Sequence, residues 1–182
     1  MMLTLAQWTV ADYHRMIAAG VLADRRVELL NGQIVEMAPE GPEHRYQCSG
    51  LGDRLRGLLG DRAWVSEAHP ITLDDSEPEP DLAIVRLPRS DFRDRHPGPA
   101  DLFWVIEIAR STLATDLTHK RDLYARVGIL EYWVVDLVNR QVVIFRQPEA
   151  GRYTQEETVC DRAIAPLAFP DCAIDVVQLF QG

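Results

Sequence analysis

The sequence is poor in the features that mark secreted, membrane-spanning or disulfide-stabilised proteins. Its three cysteines, Cys48, Cys160 and Cys172, are scattered without a Cys-x-x-Cys spacing, which favours reduced thiols over a disulfide framework or a zinc site. No apolar run approaches the length of about 18 residues that would suggest a membrane span. The stretch from Met1 to Thr9 lacks the basic start and the long apolar run of a signal peptide. We therefore expect a cytoplasmic protein that does not contact a membrane.

Basic charge is also scarce. The chain has 19 lysines and arginines against 28 aspartates and glutamates, and its formal net charge is −9. A dedicated nucleic-acid-binding protein usually carries a basic surface, so this balance counts against tight nonspecific DNA binding. A local basic patch stays possible, because six arginines lie in one predicted helix or one predicted loop: Arg54, Arg56, Arg86, Arg89, Arg93 and Arg95. Ordinary solvated surface charge explains most of them equally well.

Several sequence signatures of catalysis are absent too. The chain contains no internal repeat, no glycine-rich phosphate-binding loop and no Gly-x-Ser-x-Gly elbow. Four histidines show no spacing typical of a metal site: His14, His69, His96 and His119. With 182 residues, 47% of them apolar, the chain can bury a sizeable core. We predict a single domain over 1–182, with a helix and hairpin over 1–43, a core over 44–137, and a β extension with a closing helix over 138–182.

Hydrophobic periodicity and turn residues predict an α/β fold. Helices are predicted over 9–19, 44–59, 115–127 and 174–180. Strands are predicted over 26–30, 33–37, 102–109, 131–137, 141–146 and 152–159, and a further strand starts at Asp81. The segments 64–67 and 71–73 are predicted to form one interrupted strand. This order predicts a mixed β-sheet flanked by helices. It also predicts an N-terminal hairpin, since Asn31-Gly32 is a strong hairpin signal.

Two apolar runs each contain one carboxylate. Asp81 leads the run Leu82 to Val85, and Glu107 lies within Leu102 to Ala109, a run without a polar face that predicts a central strand covered on both sides. A buried charge is costly unless it is paired, protonated or bound to a metal. Asp81 has an alternative explanation as a turn residue after Pro80. Glu107 has two alternative explanations, as a protonated core carboxyl or as one half of a structural ion pair.

Lys120 lies on the apolar side of a predicted helix. At about 100° per residue, the positions that share its stripe are Leu113, Asp116, Leu123, Tyr124 and Val127. Because most of that stripe is apolar, it should face the sheet. Asp116 and Lys120 are also i and i+4 neighbours, so a surface salt bridge with a snorkelling lysine is the alternative.

These pieces, in this order, resemble the PD-(D/E)XK nuclease superfamily and, more narrowly, the Uma-type family of predicted restriction endonucleases. The matching segments are Glu28 to Gly32, His44, Glu79 to Leu82, Val105 to Ile108, Ser111-Thr112, Asp116, Lys120, Tyr124 and Gly128 to Asp136. The resemblance covers residues 26–146 and implies a restriction-endonuclease-like core. One position departs from the superfamily, whose usual lysine follows the acid by two residues, where this chain has Ala109. In the Uma-type family a lysine from the following helix takes that place, and Lys120 matches it.

The resemblance implies a Mg²⁺- or Mn²⁺-dependent phosphodiester hydrolase. Asp81 and Glu107 would bind the ion, with the backbone carbonyl of Ile108 as a further ligand. Lys120 would orient the attacking water or stabilise charge on the phosphate. An ion of this kind needs only one or two carboxylates and keeps several waters.

Two further residues enter the predicted site through the same resemblance. Glu28 could bind a metal directly or through water, and His44 opens the first core helix, from which related nucleases often send an acidic residue to the site. The alternatives are a surface glutamate and an ordinary histidine at a helix N-terminus.

Three functions are compatible with this reading. The first is a metal-dependent endonuclease acting on DNA, as a homodimer because two strands favour two sites and the β extension offers a pairing surface. The second is a non-catalytic dimerisation or partner-binding module that keeps the fold, which the acidic charge and Ala109 favour. The third is a hydrolase of RNA or a nucleotide, whose active-site residues could be identical to those of the first.

Overall fold

A six-stranded mixed sheet forms the centre of the protein in the computed structural model, which describes residues 5–181. Residues 1–4 and 182 of the predicted domain, and with them the start of the stretch from Met1 to Thr9, lie outside the described residues. The strands are β1 (Val27–Leu30), β2 (Gln33–Glu36), β3 (Trp64–Glu67), β4 (Leu82–Val85), β5 (Leu102–Ala109), β6 (Glu131–Asp136), β7 (Gln141–Glu149), β8 (Arg152–Val159), β9 (Ala163–Ile164) and β10 (Ile174–Asp175).

Helices cover both faces of this sheet. They are α1 (Val10–Ala18), α2 (Pro42–Leu59), α3 (Leu113–Thr115), a π-helical segment (Asp116–Lys120), α4 (Arg121–Arg126) and α5 (Val176–Leu179), with short 3₁₀ turns at Gly60–Arg62, Arg89–Phe92 and Pro99–Asp101. Between residues 5 and 181, no helix combines the length and the apolar character needed to cross a membrane.

The order of the central sheet is β3-β4-β5-β6-β7-β8. All its neighbouring strands are antiparallel except β5 and β6. A parallel pair needs a crossover between its strands, and the helical stretch 113–126 supplies it. The mixed sheet flanked by helices, the N-terminal hairpin and the C-terminal β extension are all as predicted.

Strand β5 separates two halves of the core. Its side chains alternate between faces, so Trp104 and Ile106 join the cluster under α2, whereas Val105 and Ala109 join the cluster under the helical stretch 113–126. Glu107 shares the parity of Val105 and Ala109. Its carboxylate therefore faces the helical stretch that carries Lys120.

The N-terminal hairpin is fastened to the segment that precedes β4. Strands β1 and β2 pair around Asn31 and Gly32, whose positive φ angles of 50° and 71° fit the predicted turn. The amide N–H of Glu77 donates to the carbonyl of Leu29 at 2.7 Å. This attachment brings Glu28 to the edge of the sheet near Asp81.

The crossover helix is less regular than its periodicity predicts. It begins at Leu113, earlier than the predicted Thr115, and its Asp116–Lys120 turn is π-helical. The backbone carbonyl of Asp116 accepts from the Arg121 N–H and, at 3.1 Å, from the buried Tyr132 hydroxyl. Single π turns within α-helices often occur at functional sites. This one places Lys120 and Asp116 in the protein interior.

One predicted strand is wrong, and one predicted helix is shorter than expected. The segment 71–73 is a loop, because the N–H of Ile71 bonds to the Pro78 carbonyl and the N–H of Leu73 to the Ser76 carbonyl, both local contacts. Its apolar side chains are nonetheless buried, which explains why the pattern resembles a strand. The closing helix predicted over 174–180 is present as α5 but shorter, because Ile174 and Asp175 form β10, which pairs with the unpredicted β9.

The β6–β7 turn depends on Asp136. Its carboxylate accepts from the N–H groups of Val138 and Asn139 and from the side-chain amides of Asn139 and Gln141, at 2.6–3.0 Å. Burial acts to raise the pKa of Asp136, but these hydrogen bonds outweigh it and hold the pKa below its ordinary range.

We expect Asp136→Ala to lower the free energy of unfolding by about 1–3 kcal/mol, because donors to an ionised group lose their acceptor. Urea denaturation at pH 7 measures the loss, with the exposed Asp161→Ala as the matched control. Since the folded pKa is depressed, the contribution of Asp136 is present above the unfolded pKa of about 3.9 and disappears as the pH falls through the lower folded value. A variant as stable as the control at pH 7 would contradict this assignment.

Candidate active site

A cleft of about 780 Å³ opens between the N-terminal hairpin, the start of α2 and the adjoining ends of β4 and β5. Its lining includes all five predicted catalytic side chains: Glu28, His44, Asp81, Glu107 and Lys120. They come from β1, from the first turn of α2, from the residue before β4, from β5 and from the π-helical segment. The fold thus brings together residues separated by up to 92 positions in the sequence.

Asp81 lies where β4 and β5 separate. The paired residues end at Leu82 opposite Ile106, so the backbone N–H of Ile108 finds no strand partner in β4. The carboxylate of Asp81 takes its place, since its Oδ2 accepts from the Ile108 N–H at 2.6 Å. The side chain of Asp81 is 19% exposed, and it faces the cleft.

Glu107 is buried and has two donors on one oxygen. Its Oε1 accepts from the Lys120 ammonium at 3.0 Å and from the Tyr124 hydroxyl at 2.9 Å. Its other oxygen, Oε2, lies 3.5 Å from the backbone nitrogen of Asp81. Lys120 and Tyr124 therefore orient the carboxylate and leave its second oxygen on the side of Asp81.

Lys120 is an interior residue. Its residue exposure is 7%, and its Nζ lies 3.0 Å from Glu107 and 3.5 Å from Glu28. The surface reading, a snorkelling lysine paired with Asp116, is therefore wrong: the ammonium pairs with carboxylates of β1 and β5. The physical reason is the stripe that Lys120 shares with Leu123 and Tyr124, which turns it toward the sheet.

Negative charge outweighs positive charge around Lys120 and Glu107. Burial lowers the pKa of Lys120, but Glu107, Glu28 and Asp116 outweigh that effect and raise it. Burial raises the pKa of Glu107 above the ordinary range of a carboxyl, against the opposing effect of Lys120 and with reinforcement from Asp81. Lys120 therefore stays protonated, and the acids around it compete for too little positive charge.

His44 contacts Asp81 from the first turn of α2. Its Nε2 lies 3.1 Å from Asp81 Oδ2, and its Nδ1 lies 3.4 Å from Glu40 Oε1. The hydrogen bond to Asp81 raises the pKa of His44, while burial opposes the rise. His44 thus holds the carboxylate of Asp81 from the side opposite the sheet, in a position where an imidazolium would be favoured.

Glu28 and Glu79 form a second acidic pair in the cleft. The backbone N–H of Glu79 donates to Glu28 Oε2 at 3.2 Å. Burial raises the pKa of Glu79, and the nearby Glu28 adds to the rise. The sequence predicted a site role for Glu28, whereas Glu79 entered only as the first residue of a segment that matches the family. The signal that could have found it is its place two residues before Asp81, on the same approach to β4.

The donor atoms of the cleft suit a hard divalent cation. Asp81 and Glu107 offer carboxylate oxygens, and the free edge of β5 at Ile108 offers a backbone carbonyl, because the N–H and carbonyl of one strand residue point to the same edge. Oxygen ligands are what Mg²⁺ and Mn²⁺ prefer. The excess of acids over Lys120 also leaves negative charge that a cation would neutralise. The residues present therefore fit the ion that the fold implies.

A different set of side chains forms the tightest three-residue cluster of metal-binding type among residues 5–181. His14, Glu77 and His96 offer ligand atoms that all lie within 4.8 Å of one another. The spacing of these histidines along the chain gives no sign of the cluster, because it does not show which loops the fold brings together. His69 and His119 are not part of this cluster.

Comparison with known proteins agrees with the geometry. A family model described as "Uma2: Putative restriction endonuclease" matches residues 10–177. The chain is also similar to a solved structure from Anabaena variabilis, described as a "putative nuclease belonging to DUF820". That similarity has a TM-score of 0.71 and 17% sequence identity and covers 85% of this chain and 89% of the other, which confirms the predicted fold. Among curated proteins, none matches the chain.

Proposed function

Because the chain belongs to the Uma2 family, whose description is that of restriction endonucleases, we propose that it is a divalent-metal-dependent nuclease that hydrolyses phosphodiester bonds in DNA. The observation that carries the proposal is the convergence of Asp81, Glu107 and Lys120 in one cleft. Two acids and one amine from three separate elements surround a point that solvent can reach. Packing alone would favour apolar side chains there, because buried charges are costly.

Asp81 and Glu107 would hold the ion, with the Ile108 carbonyl completing the protein ligands. When bound, Mg²⁺ or Mn²⁺ stabilises negative charge on the phosphate and lowers the pKa of a bound water. The Ile108 N–H and His44 fix one oxygen of Asp81 from two sides. Lys120 and Tyr124 fix one oxygen of Glu107. Each carboxylate is thereby positioned before any ion binds, which lowers the ordering needed on binding.

Lys120 would act on the reacting groups. Its ammonium stays protonated because of Glu107 and Glu28, so in this role it donates hydrogen bonds and does not serve as a base. A fixed positive charge beside the metal ligands can orient the attacking water or stabilise charge that develops on the phosphate. The position of Ala109, where other superfamily members carry the lysine, leaves room for this side chain from the neighbouring helix.

DNA is the substrate that we favour. Arg26 and Arg110 lie at the cleft, and both are exposed, so they can contact phosphates that flank the reacting bond. Arg110 pairs with Glu43 at the start of α2. The lining of the cleft also contains nine acidic side chains, so the two arginines and a bound cation together would offset this negative charge where a phosphate backbone approaches. An RNA or nucleotide substrate would use the same groups, so the assay below includes RNA.

We further propose a homodimer. Cleavage of two DNA strands favours two copies of the site related by two-fold symmetry. Strand β8 forms one edge of the central sheet and is exposed along most of its length. An open sheet edge is a natural pairing surface for a second chain.

Removal of divalent metal should abolish DNA cleavage by the wild-type protein. Protein purified in EDTA should leave plasmid and linear DNA intact, and millimolar Mg²⁺ or Mn²⁺ should restore nicking, because the carboxylates alone cannot stabilise the transition state. Agarose gels measure the DNA products, and a labelled RNA of the same sequence tests the alternative substrate. Ca²⁺ is the control ion, since it binds oxygen ligands with a different geometry.

Calorimetric titration with Mn²⁺ separates the proposal from a non-catalytic module. We expect heat from binding to the cleft in the wild-type protein and the loss of that contribution after replacement of both Asp81 and Glu107. Absence of heat in the wild type at millimolar Mn²⁺, together with DNA that stays intact under every metal, would reject the nuclease and favour the partner-binding module.

A further inference from the structure

His14, Glu77 and His96 meet on a different part of the molecule from the cleft. His14 belongs to α1, Glu77 to the segment before β4, and His96 to the loop before β5. The Nε2 atom of His14 lies 2.8 Å from both carboxylate oxygens of Glu77. The Nδ1 atom of His96 lies 3.5 Å from Glu77 Oε2. Three elements distant in sequence therefore direct two imidazoles at one carboxylate.

The Glu77 carboxylate is buried without a permanently charged partner. Its residue exposure is 3%, and within residues 5–181 its ion-pair partners closer than 4.0 Å are the two histidines and no lysine or arginine. The Thr72 hydroxyl donates to Oε2 at 2.7 Å. A buried carboxylate is rarely left without a compensating charge. A neutral imidazole adds none, whereas a divalent cation bound by all three groups would supply it.

We propose that these three residues form a second metal site, selective for Zn²⁺ and similar transition metals and separate from the oxygen-lined cleft. Two imidazole nitrogens with one carboxylate oxygen are a donor set typical of zinc and its neighbours. By contrast, Mg²⁺ favours oxygen donors. All three ligand atoms already lie within 4.8 Å of one another. A zinc ion with bonds of about 2.0–2.2 Å needs only a modest approach of two half-exposed histidines.

Space next to the cluster permits a further ligand. A cavity of about 250 Å³ adjoins the three residues and is lined also by Tyr13, Ile17 and Pro70. Its size leaves room for water at a fourth coordination position, as zinc requires when the protein supplies three ligands. Thr72 holds the carboxylate by a hydrogen bond, which is the kind of support that fixes metal ligands in place.

The consequence of binding would be structural. The ion would join α1 to the loop before β5 and to the segment that leads into Asp81. Glu77 already anchors that segment through its backbone bond to Leu29. Glu79, two residues further, lines both this cavity and the active-site cleft. A zinc ion would therefore stabilise the N-terminal helix against the core and fix the approach to the cleft.

Zinc binding in excess Mg²⁺ tests the proposal independently of nuclease activity. Equilibrium dialysis should find one tightly bound Zn²⁺ per wild-type chain while millimolar Mg²⁺ occupies the oxygen site. His14→Gln and His96→Gln should each weaken zinc binding at least about 100-fold, since even loss of a supporting group costs about 10–100-fold. His119→Gln, which changes an exposed histidine, is the matched control. Asp81→Asn should keep the zinc, so failure of this site and failure of the cleft are distinguishable.

Three further measurements complete the test. Co²⁺ in place of zinc should give the visible absorption of a nitrogen-ligated ion, and Zn²⁺ should protect His14 and His96 from modification by diethyl pyrocarbonate. Zn²⁺ should also raise the melting temperature of the wild type and of His119→Gln, but not of His14→Gln. Wild-type protein that binds no zinc, or His14→Gln and His96→Gln that bind it as tightly as the wild type, would overturn the proposal.

Discussion

Asp81→Asn should reduce metal-dependent DNA cleavage at least about 100-fold while leaving the fold intact. A metal ion typically contributes several kcal/mol of transition-state stabilisation, and each 1.36 kcal/mol corresponds to a factor of ten in rate. The variant keeps an oxygen that can accept from the Ile108 N–H, so the local backbone should hold. It loses the charge that makes Asp81 a ligand for a hard cation. Initial rates of plasmid nicking in Mg²⁺ measure the effect.

The stability of metal-free Asp81→Asn should not fall together with its cleavage activity. The charge on Asp81 contributes to the raised pKa values of Glu107 and Asp116, which means that it repels them in the folded protein. Its removal should leave the metal-free melting temperature unchanged or higher, as is common when a strained functional group is neutralised. Asp94→Asn, an exposed change in the loop before β5, is the matched control and should affect neither property. Nicking by Asp81→Asn at the wild-type rate would remove Asp81 from the site.

Glu107→Gln distinguishes the two acids. It should lose cleavage to a similar extent, but it should also destabilise the metal-free protein, because it removes the carboxylate nearest to Lys120. We therefore expect Asp81 and Glu107 to share a role in catalysis and to differ in their role in folding. The pair of variants gives a pattern that loss of folded protein alone does not produce.

The fold was predictable wherever one face or both faces of an element are uniformly apolar. Strands β3 and β5 have the predicted bounds. For β5 the reason is burial on both sides, which selects a nearly continuous apolar run. The segment 71–73 has the same character, because Ile71 and Leu73 are buried, yet it forms a loop. Local hydrogen bonds to Ser76 and Pro78 decide its conformation, and hydrophobic pattern alone does not report them.

The active-site cluster was predictable for a different reason. The helical period of 3.6 residues turned Lys120 toward the sheet, whereas its meeting with Glu107 and Asp81 followed from the family resemblance. The structure departs from the predicted regular helix at the π-helical turn Asp116–Lys120, because a period of 3.6 residues does not indicate such a turn. The π-helical turn displaces Lys120 so little that its side chain still faces the sheet.

The histidine cluster was not predictable from the sequence. His14 and Glu77 are 63 positions apart, and no periodic pattern links α1 to either loop. Histidine in a loop usually carries no structural signal. Tertiary hydrogen bonds bring the segment before β4 next to the N-terminal hairpin, as from Glu77 to Leu29, and tie α1 to the same hairpin, as from Tyr13 to Val27. Sequence periodicity does not show which loops meet in the folded protein, so a site that such loops form cannot be predicted from it.

Lys120→Met should lower the free energy of unfolding of the metal-free protein by about 3–5 kcal/mol and abolish cleavage. Removal of one partner leaves Glu107 and Glu28 buried without a cation, and breaking a buried ion pair typically costs this much. Methionine retains the length and apolar stem of lysine, so the loss of packing is small. Urea denaturation in EDTA measures stability, and Lys120→Arg, which keeps the charge, should be less destabilised.

The pH dependence of this loss identifies its cause. Without Lys120, the pKa of Glu107 in the folded state should rise further above the unfolded value of about 4.3. A group with a raised folded pKa binds its proton more tightly in the native state, so its stabilising contribution is present below the unfolded pKa and disappears as the pH rises through the folded value. Because the pKa of Glu107 is already raised to about 8 in the wild-type protein, both proteins lose stability in parallel up to that pH. The deficit of Lys120→Met should therefore be nearly constant from pH 4 to about pH 8 and grow above pH 8. In Lys120→Met combined with Glu107→Gln this growth should be strongly reduced, because the titrating group is gone, while cleavage stays absent. A deficit that does not vary with pH would place the effect in packing and argue against Lys120 as the charge partner of the catalytic carboxylate.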